Sequence, residues 1–304
     1  MRRHHRGSLG GRREPAPSRT PRALLIALTL VATACREAPA PEPQRVAVPA
    51  TVVALAPSLV ELLYELGLGD RLVGVGDYVK YPPEATEKLR LGGLFDPHLE
   101  EITRLAPDIA ILLPSEERTR VHLDALGIEV LTVANESLED IEATALTIAR
   151  RFSIEERGEE WVAAWREALR PRPLRGSPRV MLAVSRQRDT LADTMSAGPG
   201  TFYDELLRRM GAVNVFADAV TLYPQINLEE VVRRDPEAIL DLRSEVPDPD
   251  IAEDLRDDWV ALGPVRALET GCHAIISGSH VLLPGPRLPR LYEEIRSALM
   301  ECGF

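Results

Sequence analysis

The residues of this chain whose type and spacing could do recognition chemistry are two pairs of glutamates. Glu100-Glu101 and Glu229-Glu230 stand inside one repeated phrase, His98-Leu99-Glu100-Glu101-Ile102-Thr103-Arg104-Leu105-Ala106-Pro107-Asp108 and Asn227-Leu228-Glu229-Glu230-Val231-Val232-Arg233-Arg234-Asp235-Pro236-Glu237, offset by 129 residues. Solenoid repeats recur about every 20 to 50 residues, so this spacing argues for two similar lobes. Each phrase reads as a helix behind a polar cap, poor at His98 and good at Asn227, ended by Pro107 or Pro236. An apolar strand follows in both, Ile109 to Leu113 and Ala238 to Leu242. The glutamates fall in the first helical turn, where the helix dipole favours negative charge. The carboxylates therefore sit at matching surface points of two lobes, and their recurrence in one register speaks for more than a local role. Simple stabilisation of the helix start is the other reading of either pair.

Other chemistries find little support. Asp96 and His98 could begin a metal site, but His122, His273 and His280 are scattered and complete no ligand spacing, so no metal ligand is assigned. No Gly-x-Ser-x-Gly elbow occurs, and Ser277-Gly278-Ser279-His280 is the nearest thing to a nucleophile beside a base. No catalytic residue is assigned, and an exported hydrolase is the weakest functional alternative. Cys272 and Cys302 form no CxxC motif. They could form a disulfide between the last helix and a preceding strand if their Cα atoms come close enough.

The elements that must hold the glutamates alternate strand and helix. In the first lobe, over 51–152, short strands at Val52–Ala56, Leu72–Val75, Ile109–Leu113 and Ile128–Val133 are separated by helical segments. Ser58-Leu59-Val60-Glu61 has the form of a capping box, and Tyr78 and Tyr81-Pro82-Pro83 read as loop. Ser137 opens a helix to about Phe152, and Ser153-Ile154-Glu155-Glu156 reads as a capping box opening the next, over 153–171. That helix carries Trp161, Trp165 and Leu169 on one stripe and, at ~1.5 Å per residue, is about 25 Å long. The second lobe, over 178–304, opens with the strand Arg179–Val184, carries the loop Gly198-Pro199-Gly200-Thr201, and closes with a helix over Pro286–Met300. Alternation of this kind predicts an α/β fold: two similar lobes, each a mostly parallel sheet flanked by helices, joined by a single long helix.

Composition bounds the partners. Residues 1–34 hold a basic stretch followed by the apolar run Ala23–Ala34, which matches an export signal and is too short to span a bilayer comfortably. Residues 35–50, with Pro39, Pro41, Pro43 and Pro49, read as a tether. The net charge is −11, and losing residues 1–34 with their seven Arg and one Glu leaves −17. Such an acidic body argues against nucleic acid and suits a partner with a basic face.

The layout together with Tyr78, Tyr81-Pro82-Pro83-Glu84-Ala85, the Leu-Glu-Glu-Ile phrase with its Ala-Pro-Asp, and Gly198-Pro199-Gly200-Thr201-Phe202 resembles the helical-backbone substrate-binding proteins of bacterial ABC importers. Within them it is most similar to the cobalamin-binding members. The resemblance implies a ligand cleft between the lobes, a rigid interlobe helix, little domain closure, and one surface glutamate per lobe, here Glu100 and Glu229, docking into arginine-containing pockets of a permease dimer. It also implies a corrinoid as transported ligand, with no other cofactor. Tyr78 and Tyr223 match aromatic ligand contacts. Leu94 replaces a Trp, with Phe95 beside it as a substitute wall, while Arg186 and Gly200 are weaker candidates for the cleft. A corrinoid is large, mostly apolar at its rim and fringed with amides, so it calls for aromatic walls and a few polar groups rather than a charged clamp. Ferric siderophore or haem is the alternative cargo. Ala32-Thr33-Ala34-Cys35 resembles a lipoprotein cleavage site, with Ala32 where Leu is usual, and implies lipidation of Cys35. The expected protein is therefore a monomer, periplasmic or at the cell surface, touching membrane only through its signal or lipid anchor.

Overall fold

The computed structural model describes residues 47–187, 190–260 and 262–304. The expected export signal, Cys35 and most of the tether lie outside the described residues. The first lobe runs β1 (Val52–Ala54), α1 (Pro57–Glu65), β2 (Leu72–Val75), β3 (Leu89–Arg90), α2 (Leu99–Leu105), β4 (Ile109–Leu112), α3 (Glu117–Ala125) and β5 (Glu129–Thr132). Its sheet has the order β3-β2-β1-β4-β5 and is parallel throughout. Side chains alternate between two buried faces. Val52, Ala54, Ile109 and Ile111 enter one apolar cluster, while Val53, Leu55, Ala110 and Leu112 enter the other. A sheet covered on both sides needs such uninterrupted apolar runs, which is what the sequence shows at these strands.

Two helices then link the lobes, α4 (Leu138–Arg151) and α5 (Glu155–Ala168). The anticipated backbone helix is α5, and α4 packs beside it rather than belonging to the first lobe alone. Leu138 and Ile141 of α4 pack in the second lobe's core and Ala145 and Ile148 in the first lobe's, while α5 sends Val162 to the first and Trp165 to the second. Trp161 and Trp165 stack with ring centroids 5.7 Å apart and mark the crossover. The two helices approach closely at Gly158, where a Cβ would sit 2.4 Å from the Cβ of Ala149. Any larger residue there would push the pair apart. Each helix has 14 residues, so the bridge is about 21 Å long.

The second lobe runs β6 (Arg179–Ser185), β7 (Met195–Ser196), α6 (Phe202–Arg209), β8 (Val213–Asn214), α7 (Leu228–Arg234), β9 (Ala238–Arg243), α8 (Pro249–Val260), α9 (Arg266–Glu269), β10 (His273–Ser277) and α10 (Leu288–Glu301). Its sheet has the order β10-β9-β6-β7, with β8 also beside β6, and only the β6–β7 pairing is antiparallel. Cys272, just before β10, is bonded to Cys302 at the end of α10, with the Cα atoms 5.4 Å apart.

Two expected caps have other roles. Helix α1 starts at Pro57 after Ala56, and the hydroxyl of Ser58 accepts from Asn135 Nδ2 at 3.1 Å. Proline at a helix start needs no N–H partner, so the cap is dispensable. Helix α5 opens after Ile154, and Ser153 lies in the α4–α5 turn with φ 57°. In both phrases the proline follows the helix end instead of making it. The chain turns at Ala106 (φ 45°) and Asp235 (φ 46°), one left-handed residue in each, and this stops α2 and α7.

The glutamate of the first false cap ties the lobes together. Glu61 on α1 accepts two bonds from Arg287, at the start of α10, at 2.5 and 2.8 Å, with both side chains largely buried. Burial lifts the Glu61 carboxyl above its ordinary range, and the guanidinium only partly offsets this. Removing one partner of a buried pair strands the other charge, so Arg287→Ala should lower unfolding free energy by about 3 kcal/mol at neutral pH. The deficit should shrink toward acid pH, where Glu61 takes up a proton, and Glu61→Leu with Arg287→Met should recover most of it. Urea unfolding at two pH values measures all three effects; a loss under about 1 kcal/mol in Arg287→Ala would show that the tie is dispensable.

Candidate functional site: the interlobe cleft

Parallel strands of α/β sheets present ligands at their carboxyl ends. Here the carboxyl ends of β1, β2, β9 and β10 feed segments that line one cavity between the lobes, of ≈ 280 Å³. Pro57, Glu61, Tyr78 and Lys80 come from the first lobe, and Ser244, Glu245, Ser279, Leu282, Leu283 and Arg287 from the second. A neighbouring cavity of ≈ 420 Å³, from Arg243 to Leu255, shares Ser244 and Glu245 with it. Each cation that lines these spaces faces a carboxylate. Arg287 pairs with Glu61, Lys80 Nζ lies 3.1 Å from Glu245 Oε1, and Arg243 Nε lies 2.8 Å from Asp241 Oδ1. Polar groups are therefore plentiful in the cleft while the net charge is small.

Segment 278–283 does not form a strand and supplies part of the cleft wall. The Ser279 hydroxyl accepts from Arg287 Nη1 at 3.0 Å. His280 is buried, with Nε2 2.6 Å from Glu294 Oε2, and desolvation holds its pKa below the ordinary value. These bonds fix the loop in place, and both ring and hydroxyl are engaged with groups other than each other.

Of the residues read from the sequence, Tyr78 reaches the cavity and is 70% exposed, so its ring is free to face a ligand. Leu94 and the 77% exposed Phe95 line a separate space of ≈ 210 Å³ with Asp96, Pro97, Leu99, Ser115, Glu116, Arg118 and Thr119. Tyr223 is half-buried against the second core, with its hydroxyl 3.4 Å from Glu136; burial and that carboxylate push its pKa up. Gly200 has φ 78° and precedes Thr201, whose hydroxyl caps α6 by accepting from Asp204 N, so it serves the helix entry. Arg186 does not reach the cleft. Its guanidinium is fully buried beneath it, bonded to Asp241 at 2.8 Å, Asp258 at 2.7 Å and the Leu255 carbonyl at 2.7 Å, over the ring of Trp259. A loop arginine with two acidic partners and an indole is a structural post, and its sequence position alone did not reveal them. No cluster of metal-ligating side chains occurs among the described residues.

The paired glutamates differ within each pair in the same way. Glu101 is ion-paired with Arg104, and Glu230 with Arg233 and Arg234, three and four residues on along the helix. Glu100 and Glu229 are exposed and make no side-chain bond among the described residues. The second carboxylate of each pair is used inside its own helix, and the first is available to a partner.

Sequence reasoning missed Glu61, Glu245, Ser279, Leu282, Leu283 and Arg287. One signal was present. The repeat continues past the strands at the same offset, Leu113-Pro114-Ser115-Glu116 against Leu242-Arg243-Ser244-Glu245. The two copies of this Ser-Glu end have opposite surroundings: Glu245 is solvated at the cleft, whereas Glu116 is buried, with Oε1 lacking any partner and Oε2 accepting from Leu113 N at 2.7 Å.

Residues 52–257 match the model of the family described as "Periplasmic binding protein". The chain belongs to that family. Its relatives include a vitamin B12-binding protein of Vibrio cholerae, 27% identical over 190 residues that make up 62% of this chain and 68% of the relative. Among solved structures, the periplasmic vitamin B12-binding protein of Vibrio cholerae superposes with a TM-score of 0.68 at 24% identity, over 84% of this chain and 98% of that one. A periplasmic haem-binding protein from Pseudomonas aeruginosa does so with 0.70 at 23%, over 82% and 92%. At such identities the superpositions establish the shared two-lobed α/β fold. Periplasmic binding proteins work outside the cytoplasm, and no helix among the described residues is long and apolar enough to cross a membrane.

Burial pushes the Glu116 carboxyl up from 4.5 to about 7, against the opposing bond from Leu113 N. The folded chain thus holds a proton that the unfolded chain has lost, and the associated stability is full below pH 4.5 and disappears as pH rises through about 7. Glu116→Gln is neutral throughout, so relative to it the wild type should lose about 2 kcal/mol between pH 5 and pH 8. Urea unfolding at both pH values checks this, and parallel behaviour of the two proteins would refute it.

Proposed function

We propose that this protein captures a corrinoid outside the cytoplasm and delivers it to the permease of an ABC importer. The observation that carries the reading is the pairing of every cleft-lining cation with a carboxylate, beside the Tyr78 ring and the apolar Leu282 and Leu283. A polyanionic siderophore needs uncompensated cations, whereas a large amide-fringed ligand needs aromatic and apolar walls with local hydrogen-bonding groups. The names of the relatives point the same way. Haem is the second reading, on the strength of the haem-binding structural neighbours. Titration of the purified protein with cyanocobalamin, haem and a ferric hydroxamate separates the cargoes. Cyanocobalamin should bind more tightly than about 1 μM and ahead of the other two; tighter binding of haem would overturn the assignment.

Delivery needs docking, and we assign it to Glu100 and Glu229. Both are exposed, unpaired and held at the first turns of α2 and α7 on a doubly bridged frame. Exposed charges of this kind steer association and fix register more than they add affinity. Anchoring through a lipid on Cys35 belongs to the same reading and would keep the protein near its permease. In cells that depend on this protein for corrinoid uptake, Glu100→Ala with Glu229→Ala should abolish uptake with ligand affinity unchanged, and Cys35→Ser should release the protein from membranes. Normal uptake in the double variant would sink the docking assignment, and retention of Cys35→Ser on membranes the lipid one.

A further inference from the structure

We infer that Lys80 is the anion-recognition group of the cleft: its ammonium exchanges Glu245 for the phosphate of a bound ligand and thereby selects phosphate-bearing corrinoids over those without one. This rests on the corrinoid reading above and adds to it a specificity residue. Three cations line the two cleft cavities among the described residues, and they are held very differently. Arg287 is clamped by both oxygens of a carboxylate that is 3% exposed, bonded to Ser279 and laid over the ring of Tyr81 at 4.5 Å. Arg243 is bound to the buried Asp241 and to the carbonyl of Arg186. Withdrawing Arg287 would leave the buried Glu61 carboxylate without its counter-charge, and Arg243 shares the buried Asp241 with Arg186 in one bonded cluster.

Lys80 is different. Its side chain is 57% exposed, and that of its partner Glu245 is 79% exposed. An exposed pair of this kind is weak, so either member can leave at little cost. Lysine suits exchange chemistry, since its ammonium is a compact charge on a flexible four-carbon stem with three donors and no fixed fork. An incoming phosphate replaces one anion with another and offers more acceptor oxygens.

Location reinforces the point. Glu245 lines both cavities, of ≈ 280 and ≈ 420 Å³, and so stands at the partition between them. When Lys80 lets it go, the carboxylate can turn toward solvent and join the two spaces just as the anion arrives. Lys80 comes from the first lobe and Glu245 from the second. Their bond therefore crosses the mouth of the cleft. Ligands that carry the anion break it with compensation, and ligands that lack it do not.

The test compares probes that share the corrin ring. Dicyanocobinamide lacks the nucleotide loop and its phosphate, its phosphate ester restores only the phosphate, and cyanocobalamin carries the whole loop. By calorimetric titration the wild type should bind the phosphate ester and cyanocobalamin about tenfold more tightly than dicyanocobinamide, with the margin shrinking at high salt. Lys80→Met should reduce the margin to about onefold, and Glu245→Gln should widen it a fewfold by freeing the ammonium. Equal affinity of wild type for dicyanocobinamide and its phosphate ester, or equal weakening of all three probes in Lys80→Met, would overturn the assignment of Lys80 alone. Failure of all three probes to bind wild type would instead overturn the corrinoid reading itself.

Discussion

The buried ion pair between Glu61 and Arg287 is the contact on which the cleft depends. It joins α1, fed by the central strand of the first sheet, to α10, which closes the second lobe, and both residues line the cavity. A buried pair adds little net stability, because desolvation of the two charges offsets their attraction. Its effect is positional. A bidentate guanidinium–carboxylate contact has a preferred geometry, so it orients the two lobes toward each other at the cleft floor. The α4–α5 bridge imposes the same constraint from the back, since each helix packs into both cores and is closed on the other at Gly158. The lobes are thus joined at floor and back, and between them the exposed side chains of Lys80 and Glu245 meet across the cleft.

Much of this was legible in the sequence, for reasons that differ from element to element. Strands β1, β4, β6 and β9 are covered on both faces, so each had to be a run of apolar residues, and such runs stand out. Glu100 and Glu229 were visible because a helix start repeated at one offset is a local pattern. The cleft floor was not. Ser58 and Glu61 have the spacing of a capping box, and nothing nearby distinguishes a glutamate that closes its own helix from one that reaches Arg287, 226 residues away. Arg186 failed for the same reason, because Asp241 and Asp258 approach it only through the folding of β6, β9 and α8. Ion pairs between distant segments leave no spacing to read, whereas periodic burial does.

The repeat explains a further feature, since the two lobes keep their likeness outward and lose it inward. On the outer surface both copies offer one unpaired glutamate with the next one paired to arginine, and both helices stop at a left-handed residue before proline. At the cleft the copies part. In the first lobe, the segment from Leu94 to Leu99 lies with Glu116 around one small cavity and leaves that carboxyl dry. In the second, the corresponding segment is drawn onto β7, with Gln225 bridging to Met195 and Ile226 N donating to the Thr194 carbonyl. Glu245 is left in water at the partition of the cleft.

Strand β7, the antiparallel strand of the second sheet, is therefore where the symmetry breaks. An exposed carboxylate can trade partners, while Glu116, enclosed by packing and with its pKa lifted by burial to about 7, cannot. The same Ser-Glu end thus serves as inert packing in one lobe and as an exchangeable counter-ion in the other. Under the proposed function, a partner built from two alike subunits would call for matching charges on the outside, and a cargo with no two-fold symmetry for unlike walls within. A duplicated lobe meets both demands only if it diverges where its strands end and not where its helices begin, which is the pattern observed.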